Sequence, residues 1–164
     1  MEAMPFRLLQ ENPDLTTLIS CDTNILFPAC DSSSEHFEKA RSFVASYRSR
    51  DDFCLCEQVL MELYCLLRNP TVCRNPLTGP DAAGIIAGFR SNPRWSVVDV
   101  VIGGMIMEQV WERASAPAFP YGRIFDLRLG FTLRHHGVTE FATRNHRDFA
   151  GVGFDRVWDP LVED

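Results

Sequence analysis

The chain has 164 residues, of which 46% are hydrophobic and 23% charged. A chain of this length and composition can bury one sizeable core, which predicts a single globular domain and excludes extensive disorder. No hydrophobic run approaches the roughly 18 residues of a membrane span, and the acidic leader MEAMPFRLLQENPDLTT has no hydrophobic core or small-residue cleavage site. We therefore expect a cytoplasmic protein that makes no membrane contact, with an N-terminal extension over residues 1–17 and one domain over residues 18–164.

Strand-like and helix-like segments alternate along the chain. The predicted strands cover residues 18–21, 53–56, 95–100, 138–143 and 156–158. The predicted helices are one around residues 37–47, opened by SSSE at 32–35 with capping-box spacing, and others at 59–68, 81–90, 105–114 and 124–136. Strands separated by helices predict parallel pairing with helices on both faces of the sheet.

The charge of the chain is unevenly distributed. The net charge of −6 argues at first against nucleic acid, but five arginines stand against Asp126 and Glu140 between Arg123 and Arg147. That segment carries +3, which leaves −9 on the rest of the chain. Fifteen of the 16 basic residues are arginine, whose guanidinium matches phosphate oxygens. The segment is either a phosphate-binding surface or the product of a coding bias toward arginine.

Six cysteines are scattered along the chain, several of them inside hydrophobic segments. We interpret them as reduced core residues. A zinc site built from Cys54, Cys56 and a histidine is the alternative, and the CxC pair has no matching pair elsewhere to support it. The six positions are 21, 30, 54, 56, 65 and 73.

A carboxylate ends the first predicted strand, in LISCDTNIL. Asp22 is followed at once by the hydroxyl of Thr23 and the amide of Asn24. It is therefore either a turn residue that caps its own backbone or an anionic ligand at the edge of the sheet. Open parallel sheets form their ligand crevices at the carboxyl ends of the strands.

Three further acids stand at comparable places. Glu62 is the only charged residue within QVLMELYCLL, Asp126 lies in the first turn of a helix in RIFDLRLGF, and Asp148 follows a strand in TRNHRDF. A solvent-facing stripe, helix capping and a turn shared with Asn145 explain each acid taken singly.

The same acids acquire another meaning if the fold brings them together. An α/β domain can place four such elements at one edge of its sheet. Close carboxylate pairs then repel by about 4 kcal/mol at ~4 Å with an effective dielectric of ~20. Protonation or a bound cation relieves this repulsion, and hard cations such as Mg²⁺ and Mn²⁺ take oxygen ligands and suit the chemistry of phosphate esters.

The order and spacing of these motifs resemble those of PIN-domain ribonucleases, specifically the VapC-type toxins of bacterial toxin-antitoxin pairs. The resemblance extends over about residues 18–161 and rests on four features. These are DTNIL after a hydrophobic strand, a lone glutamate in a hydrophobic helix, an aspartate opening the helix that ends in HHG, and TRNHRDF after the following strand. It implies a PIN-like three-layer α/β fold, with a central, mainly parallel, twisted sheet flanked by helices, and a single PIN domain over residues 18–164.

The resemblance also implies a function and a set of site residues. The function is metal-dependent hydrolysis of RNA phosphodiester bonds by a toxin, with Mg²⁺ or Mn²⁺ as cofactor and a cognate antitoxin as partner. The hydrophobic surface expected of the first three helices predicts antitoxin binding and a homodimer. The implied catalytic and metal-binding acids are Asp22, Glu62, Asp126 and Asp148, and the implied polar residues around the acids or the substrate are Thr23, Asn24, Thr143 and Asn145. Arg144 and Arg147 flank the expected site and either hold RNA phosphates or are solvated arginines in a turn.

Other classes of protein fit the sequence less well. A phosphoaspartate receiver needs a lysine after a late strand, and the only lysine is Lys39. A phosphatase of the haloacid dehalogenase type needs a second aspartate where Asn24 stands, and the signature of a P-loop enzyme is missing. The open alternatives are a catalytically inactive PIN-type RNA-binding or scaffold protein, against which all four acids argue, and an RNA-processing nuclease that is not a toxin.

Overall fold

A computed structural model describes residues 17–101 and 104–162. Apart from Thr17, the predicted N-terminal extension lies outside the described residues. The strands are β1 (Leu18–Cys21), β2 (Phe53–Cys56), β3 (Ser96–Val98), β4 (Val138–Ala142) and β5 (Arg156–Trp158). The α-helices are α1 (Thr23–Cys30), α2 (Phe37–Tyr47), α3 (Glu57–Arg68), α4 (Gly79–Arg90), α5 (Met105–Ala114) and α6 (Ile124–His135), and short 3₁₀ helices cover Tyr121–Arg123 and His146–Phe149.

The five strands form one parallel sheet in the order β3-β2-β1-β4-β5. The chain runs from β1 outward to β2 and β3, then crosses back to β4 and runs outward again to β5. Because parallel crossovers are right-handed, α1 to α4 lie on one face of the sheet and α5 and α6 on the other. This confirms the predicted α/β fold. The direction of winding reverses between β1 and β4, and open α/β sheets bind their ligands at such a reversal, beyond the carboxyl ends of the strands.

The core lies around β2, whose four residues are all buried. A strand covered on both faces reads as a continuous hydrophobic run, and FCLC is such a run. Phe53 of β2 stacks on Tyr47, with ring centroids 4.8 Å apart, and contacts Trp95 at the same distance. The indole N–H of Trp95 donates to the carbonyl of Tyr47 at 2.9 Å, which satisfies the buried polar atom of that ring.

Helix α1 is absent from the sequence-based prediction. It begins directly after β1, with Asp22 as its N-cap, and contains Pro28 near its end. A proline inside a helix removes one backbone hydrogen bond, and its presence so soon after a strand favours a loop. The helix forms nonetheless because Ile25 and Leu26 are fully buried in the core. Tertiary packing outweighs local propensity here.

Two other predictions are wrong in detail. The SSSE segment does not cap α2, which begins at Phe37; instead Oδ1 of Asp31 accepts hydrogen bonds from the backbone and the hydroxyl of Ser33, at 2.9 and 2.7 Å. Cys65 is exposed and so is not a core residue, whereas four of the six free cysteines are buried. Within the described ranges no cluster of three or more metal-ligating side chains occurs, so nothing supports the zinc alternative at Cys54 and Cys56.

No helix in the described part of the chain is both long and hydrophobic enough to span a membrane.

Gly130 lets α6 approach the segment that follows the last 3₁₀ helix. A Cβ atom added at Gly130 would lie 2.7 Å from Cγ1 of Val152 and 3.5 Å from the ring of Phe149. Phe149 follows Asp148 directly, so this close approach helps to set the distance between the loop of Asp148 and the helix of Asp126. By contrast, a Cβ at Gly88 of α4 would meet nothing within 4 Å.

These two glycines provide a matched test of the packing. Gly88→Ala should stabilise the protein by about 0.5–1 kcal/mol through reduced backbone entropy of the unfolded chain. Gly130→Ala should destabilise it by about 1 kcal/mol or more, because the cost of overpacking against Val152 exceeds the gain from reduced backbone entropy. Val152→Ala in the Gly130→Ala background should recover part of the loss. Denaturant unfolding of the variants measures this, and equal stabilisation by both alanines would contradict the close contact.

Candidate active site

Asp22 is the most deeply buried of the four predicted acids, at 7% exposure. Its backbone N–H donates to the carbonyl of Ala142 at the end of β4, at 2.9 Å. Its Oδ1 accepts the N–H of Thr23 at 2.8 Å, which caps helix α1. Its Oδ2 accepts the hydroxyl of Thr143 at 2.7 Å and the side-chain amide of Asn24 at 3.0 Å. Asp22 is therefore a helix cap and also an acid held in place by polar groups from the start of α1 and from the residue that follows β4.

The loop after β4 is attached to the start of α1 by further hydrogen bonds. The amide nitrogen of Asn24 lies 3.3 Å from the hydroxyl of Thr143, and its Oδ1 accepts the backbone N–H of Arg144 at 3.1 Å. The N–H of Asn145 donates to the hydroxyl of Thr143 at 3.0 Å. Thr143 is fully buried. The predicted polar residues therefore form one network beneath and beside Asp22.

Glu62 reaches the same network from helix α3. Its Oε2 accepts the hydroxyl of Thr23 at 2.9 Å, although the residue as a whole is exposed. The same hydroxyl lies 3.4 Å from the carbonyl of Val59, one turn earlier in α3. The lone glutamate of a hydrophobic helix thus points along the edge of the core toward the carboxyl end of β1.

Asp126 and Asp148 belong to two further elements, α6 and the last 3₁₀ helix. Asp126 lies in the first turn of α6, where the helix dipole favours a negative charge. Asp148 lies in the last 3₁₀ helix, with its N–H bonded to the carbonyl of Asn145 at 3.0 Å. Arg123 contacts this loop: its Nη2 donates to the carbonyl of Asp148 at 2.6 Å, and its Nε lies 3.7 Å from Oδ1 of the same residue.

The acids influence one another electrostatically. Burial raises the pKa of Asp22 to about 6; hydrogen bonds from Thr143 and Thr23 oppose this rise, and the charges of Glu62 and Asp148 add to it. Burial also raises the pKa of Asp126 to about 6, with contributions from Asp148, Asp22 and Glu62, while Arg123 opposes it. The pKa of buried Asp22 and the pKa of half-buried Asp126 thus both depend on acids from other elements, as expected of carboxylates that share a site.

A cavity of about 220 Å³ opens above these residues. It is lined by three of the acids, by polar residues of the network and by Arg144, together with hydrophobic residues of α1 and α3. Arg147 is exposed and is not part of the lining. The lining residues are Asp22, Thr23, Asn24, Phe27, Pro28, Glu62, Leu66, Asp126, Arg144 and Asn145.

The donor atoms around this cavity are carboxylate, hydroxyl and amide oxygens, the type that Mg²⁺ and Mn²⁺ prefer. Across residues 17–101 and 104–162, no three acidic, histidine or cysteine side chains form a compact group around one point. The acids are arranged around the cavity instead. Mg²⁺ commonly retains several waters and is bound by one or two carboxylates, so the chemistry of the donor set fits this ion.

Two charged residues beside the site are not among the sequence-based candidates. The first is Arg123, which contacts Asp148. The second is Asp159, at the carboxyl end of β5, whose Oδ2 lies 3.8 Å from Nε of Arg144. RIFD places Arg123 three residues before Asp126, and VWDPL places Asp159 directly after a strand. Asp159 could have been predicted as a site residue from its position directly after a strand, because the same position indicates Asp22. The sequence contains no comparable signal for the contact of Arg123 with Asp148.

Comparison with known proteins identifies relatives of the chain. No protein-family model matches it. It is 47% identical over 147 residues to Ribonuclease VapC24 of Mycobacterium tuberculosis, in strains CDC 1551 / Oshkosh and ATCC 25618 / H37Rv. The alignment covers 90% of this chain and 99% of the relative.

Two solved structures share the fold. Mycobacterium tuberculosis VapC20, described as a sarcin-ricin loop cleaving toxin, has a TM-score of 0.56 and 21% identity, over 83% of this chain and 95% of its own. DNA-bound VapBC from Salmonella typhimurium has a TM-score of 0.54 and 20% identity, over 88% and 99%. Identity at this level concerns the fold alone, whereas 47% identity over nearly the whole length of both chains decides the family. The chain belongs to the VapC ribonucleases, the toxins of toxin-antitoxin systems.

Proposed function

We propose that this VapC protein hydrolyses RNA phosphodiester bonds with the help of Mg²⁺ or Mn²⁺, held by acids among Asp22, Glu62, Asp126 and Asp148. The observation that carries the proposal is the convergence of acids from β1, α3 and α6 on one cavity at the reversal of the sheet. Burial, with repulsion between the acids added to it, raises the pKa of Asp22 and Asp126, and a divalent cation relieves the repulsion.

The ion, when bound, lowers the pKa of a water molecule and offsets the charge that develops on the phosphate. The residues of the chain orient the acids for this task. Thr143 and Asn24 donate hydrogen bonds to one oxygen of Asp22, which fixes the plane of its carboxylate. The hydroxyl of Thr23 donates one hydrogen bond to Oε2 of Glu62 and restrains that carboxylate. Arg144 lies at the wall of the cavity, and we expect its guanidinium to bind a phosphate of the RNA.

The biological setting follows from the family. We propose that the partners are single-stranded regions of a cellular RNA and a cognate antitoxin, and that the protein acts in the cytoplasm, where that RNA is found. We also propose a homodimer. Its support is a set of large hydrophobic side chains exposed on α3, α5 and α6, whose burial against a second copy is favourable. These are Met61, Met105, Trp111 and Phe125.

Substitution of single acids tests the nuclease proposal. Asp22→Asn and Asp126→Asn remove one charge each with little change of shape, so both proteins should remain folded by circular dichroism. Their cleavage of a cellular RNA pool in Mn²⁺ should fall by at least about tenfold, which corresponds to a lost interaction of ~1.4 kcal/mol or more.

The matched control is Asp155→Asn, an exposed acid that precedes β5 at the opposite edge of the sheet. It should cleave at the wild-type rate, and EDTA should abolish cleavage by the wild type and the control alike. Wild-type rates for Asp22→Asn and Asp126→Asn would contradict the assignment of these acids.

The raised pKa values predict a pH dependence of stability without metal. The pKa of Asp22 and Asp126 is about 6 in the folded protein, above the value of about 3.9 for aspartate in an unfolded chain. Their protonation therefore contributes stability that is fully present below about pH 4 and is lost as the pH rises through about 6.

Thermal melts in EDTA measure this contribution. The melting temperature of Asp126→Asn relative to wild type should increase between about pH 5 and about pH 8, because asparagine carries no charge. Millimolar Mn²⁺ should raise the melting temperature of the wild type at neutral pH, and should raise that of Asp126→Asn by less. A difference between the two proteins that stays constant with pH would contradict the raised pKa of Asp126.

The two predicted RNA-binding arginines differ in position, and we expect them to differ in effect. Arg144→Gln should weaken the binding of a short single-stranded RNA and lower the slope of log affinity against log salt by about 1. Arg147→Gln should have a smaller effect, because Arg147 is not part of the cavity lining. Arg94→Gln, before β3 at the opposite edge of the sheet, is the control. Equal effects of all three substitutions on affinity would indicate general attraction of RNA to positive charge.

A further inference from the structure

Asp159 is a buried carboxylate that the proposed chemistry does not use. It follows β5 directly and is 6% exposed. Strand β5 pairs with β4, with Ala142 opposite Trp158, and the N–H of Thr143 donates to the carbonyl of Trp158 at 2.8 Å. Asp159 therefore lies at the carboxyl edge of the sheet, one strand away from the network around Asp22.

Two contacts account for the oxygens of Asp159. Its Oδ1 accepts the backbone N–H of Leu161 at 2.9 Å, and its Oδ2 lies 3.8 Å from Nε of Arg144. Asparagine would accept the same backbone hydrogen bond, so this turn does not explain a negative charge at the position. A buried charge is unfavourable without a partner. Arg144 is the only cation paired with Asp159 in the part of the chain that the structure describes.

The backbone of Arg144 is held by a hydrogen bond, whereas its side chain is partly exposed to solvent. Its N–H donates to Asn24, and its side chain is 41% exposed and lines the cavity with Asp22 and Asp126. Nε faces Asp159, and no other residue in the described ranges bonds to the guanidinium. The two Nη groups, each with two N–H donors, are therefore left for a ligand. Such paired donors match two oxygens of a phosphate.

Arg144 must be held away from the acids that line the same cavity. An arginine beside several carboxylates is attracted to them, and an arginine that binds them is lost to the substrate. Asp159 offers a fixed partner through Nε, which leaves the Nη groups available to an incoming phosphate. The same restraint reduces the side-chain entropy that Arg144 would lose on binding RNA.

We propose that Asp159 is a positioning residue, which holds Arg144 at the wall of the cavity so that its guanidinium binds a phosphate of single-stranded RNA beside the scissile one. The inference rests on the proposed ribonuclease function. It predicts that loss of this acid changes the affinity for RNA in the direction opposite to the usual one. Removal of an acid near a nucleic-acid site normally tightens binding, because repulsion of the phosphates is reduced. Removal of the charge of Asp159 should weaken binding instead.

The test compares full-length wild type with Asp159→Asn, Arg144→Gln and the double variant. The probe is a short fluorescein-labelled single-stranded RNA of mixed sequence, titrated in EDTA and followed by fluorescence anisotropy, so that no cleavage occurs. Asp159→Asn should bind about three- to tenfold more weakly than wild type, which is less than the loss of a whole charge-assisted contact. The double variant should bind no more weakly than Arg144→Gln, because the two residues act as one unit. Asp155→Asn removes the same charge from the other end of β5 and should bind at least as tightly as wild type.

A kinetic readout separates positioning from folding. Asp159→Asn should raise KM for RNA cleavage in Mn²⁺ and leave kcat within about twofold, since the acids are untouched. Arg144→Lys keeps the charge without the planar fork, so adding Asp159→Asn to it should have little further effect. Wild-type or tighter binding by Asp159→Asn, or an undiminished effect in the Arg144→Gln background, would overturn the inference and leave the nuclease proposal intact. A wild-type protein that neither binds nor cleaves RNA would overturn both.

Discussion

The hydrogen bond from the hydroxyl of Thr143 to the carboxylate of Asp22 joins two residues that are 121 positions apart in the chain. It exists because β1 and β4 are neighbours in the sheet, with Cys21 opposite Ala142. The winding of the chain reverses at this pair of strands, so no crossover helix covers their carboxyl ends. The cap of α1, the position of Asn24 and the start of the loop that carries Asp148 all adjoin this contact.

The acids of the candidate site lower the stability of the folded chain at neutral pH. Burial and mutual repulsion raise the pKa of Asp22 and Asp126, which means that their charged forms destabilise the folded chain at neutral pH. Arg123, which is not part of the cavity lining, reduces this penalty for Asp126. Arg123 contacts the loop of Asp148, while Arg144 is paired with Asp159. Positive charge is thereby held beside the acids, and the acids themselves remain available to a cation.

Local sequence predicted most of the elements, because the strands of a buried parallel sheet are short hydrophobic runs that differ from their surroundings. FCLC and LISC are examples, and Gly137, with a positive φ of 86°, marks the end of α6 as its sequence position predicts. Helix α1 could not be predicted in this way. Pro28 opposes a helix locally, and only the burial of Ile25 and Leu26, in a helix that packs against α2 and α3, overcomes it.

The sequence by itself determined the class of fold, the family and the identity of the candidate acids, because each acid stands at a recognisable place relative to its own strand or helix. Only the tertiary structure decided how these acids are arranged: Asp22, Glu62 and Asp126 line one cavity, and Asp148 lies beside it. The tertiary structure also separated Arg144 from Arg147 and revealed the pairing of Arg144 with Asp159. The physical reason is that such pairings depend on which strands are neighbours in the sheet, and strand order is set by the packing of the whole core rather than by any local pattern.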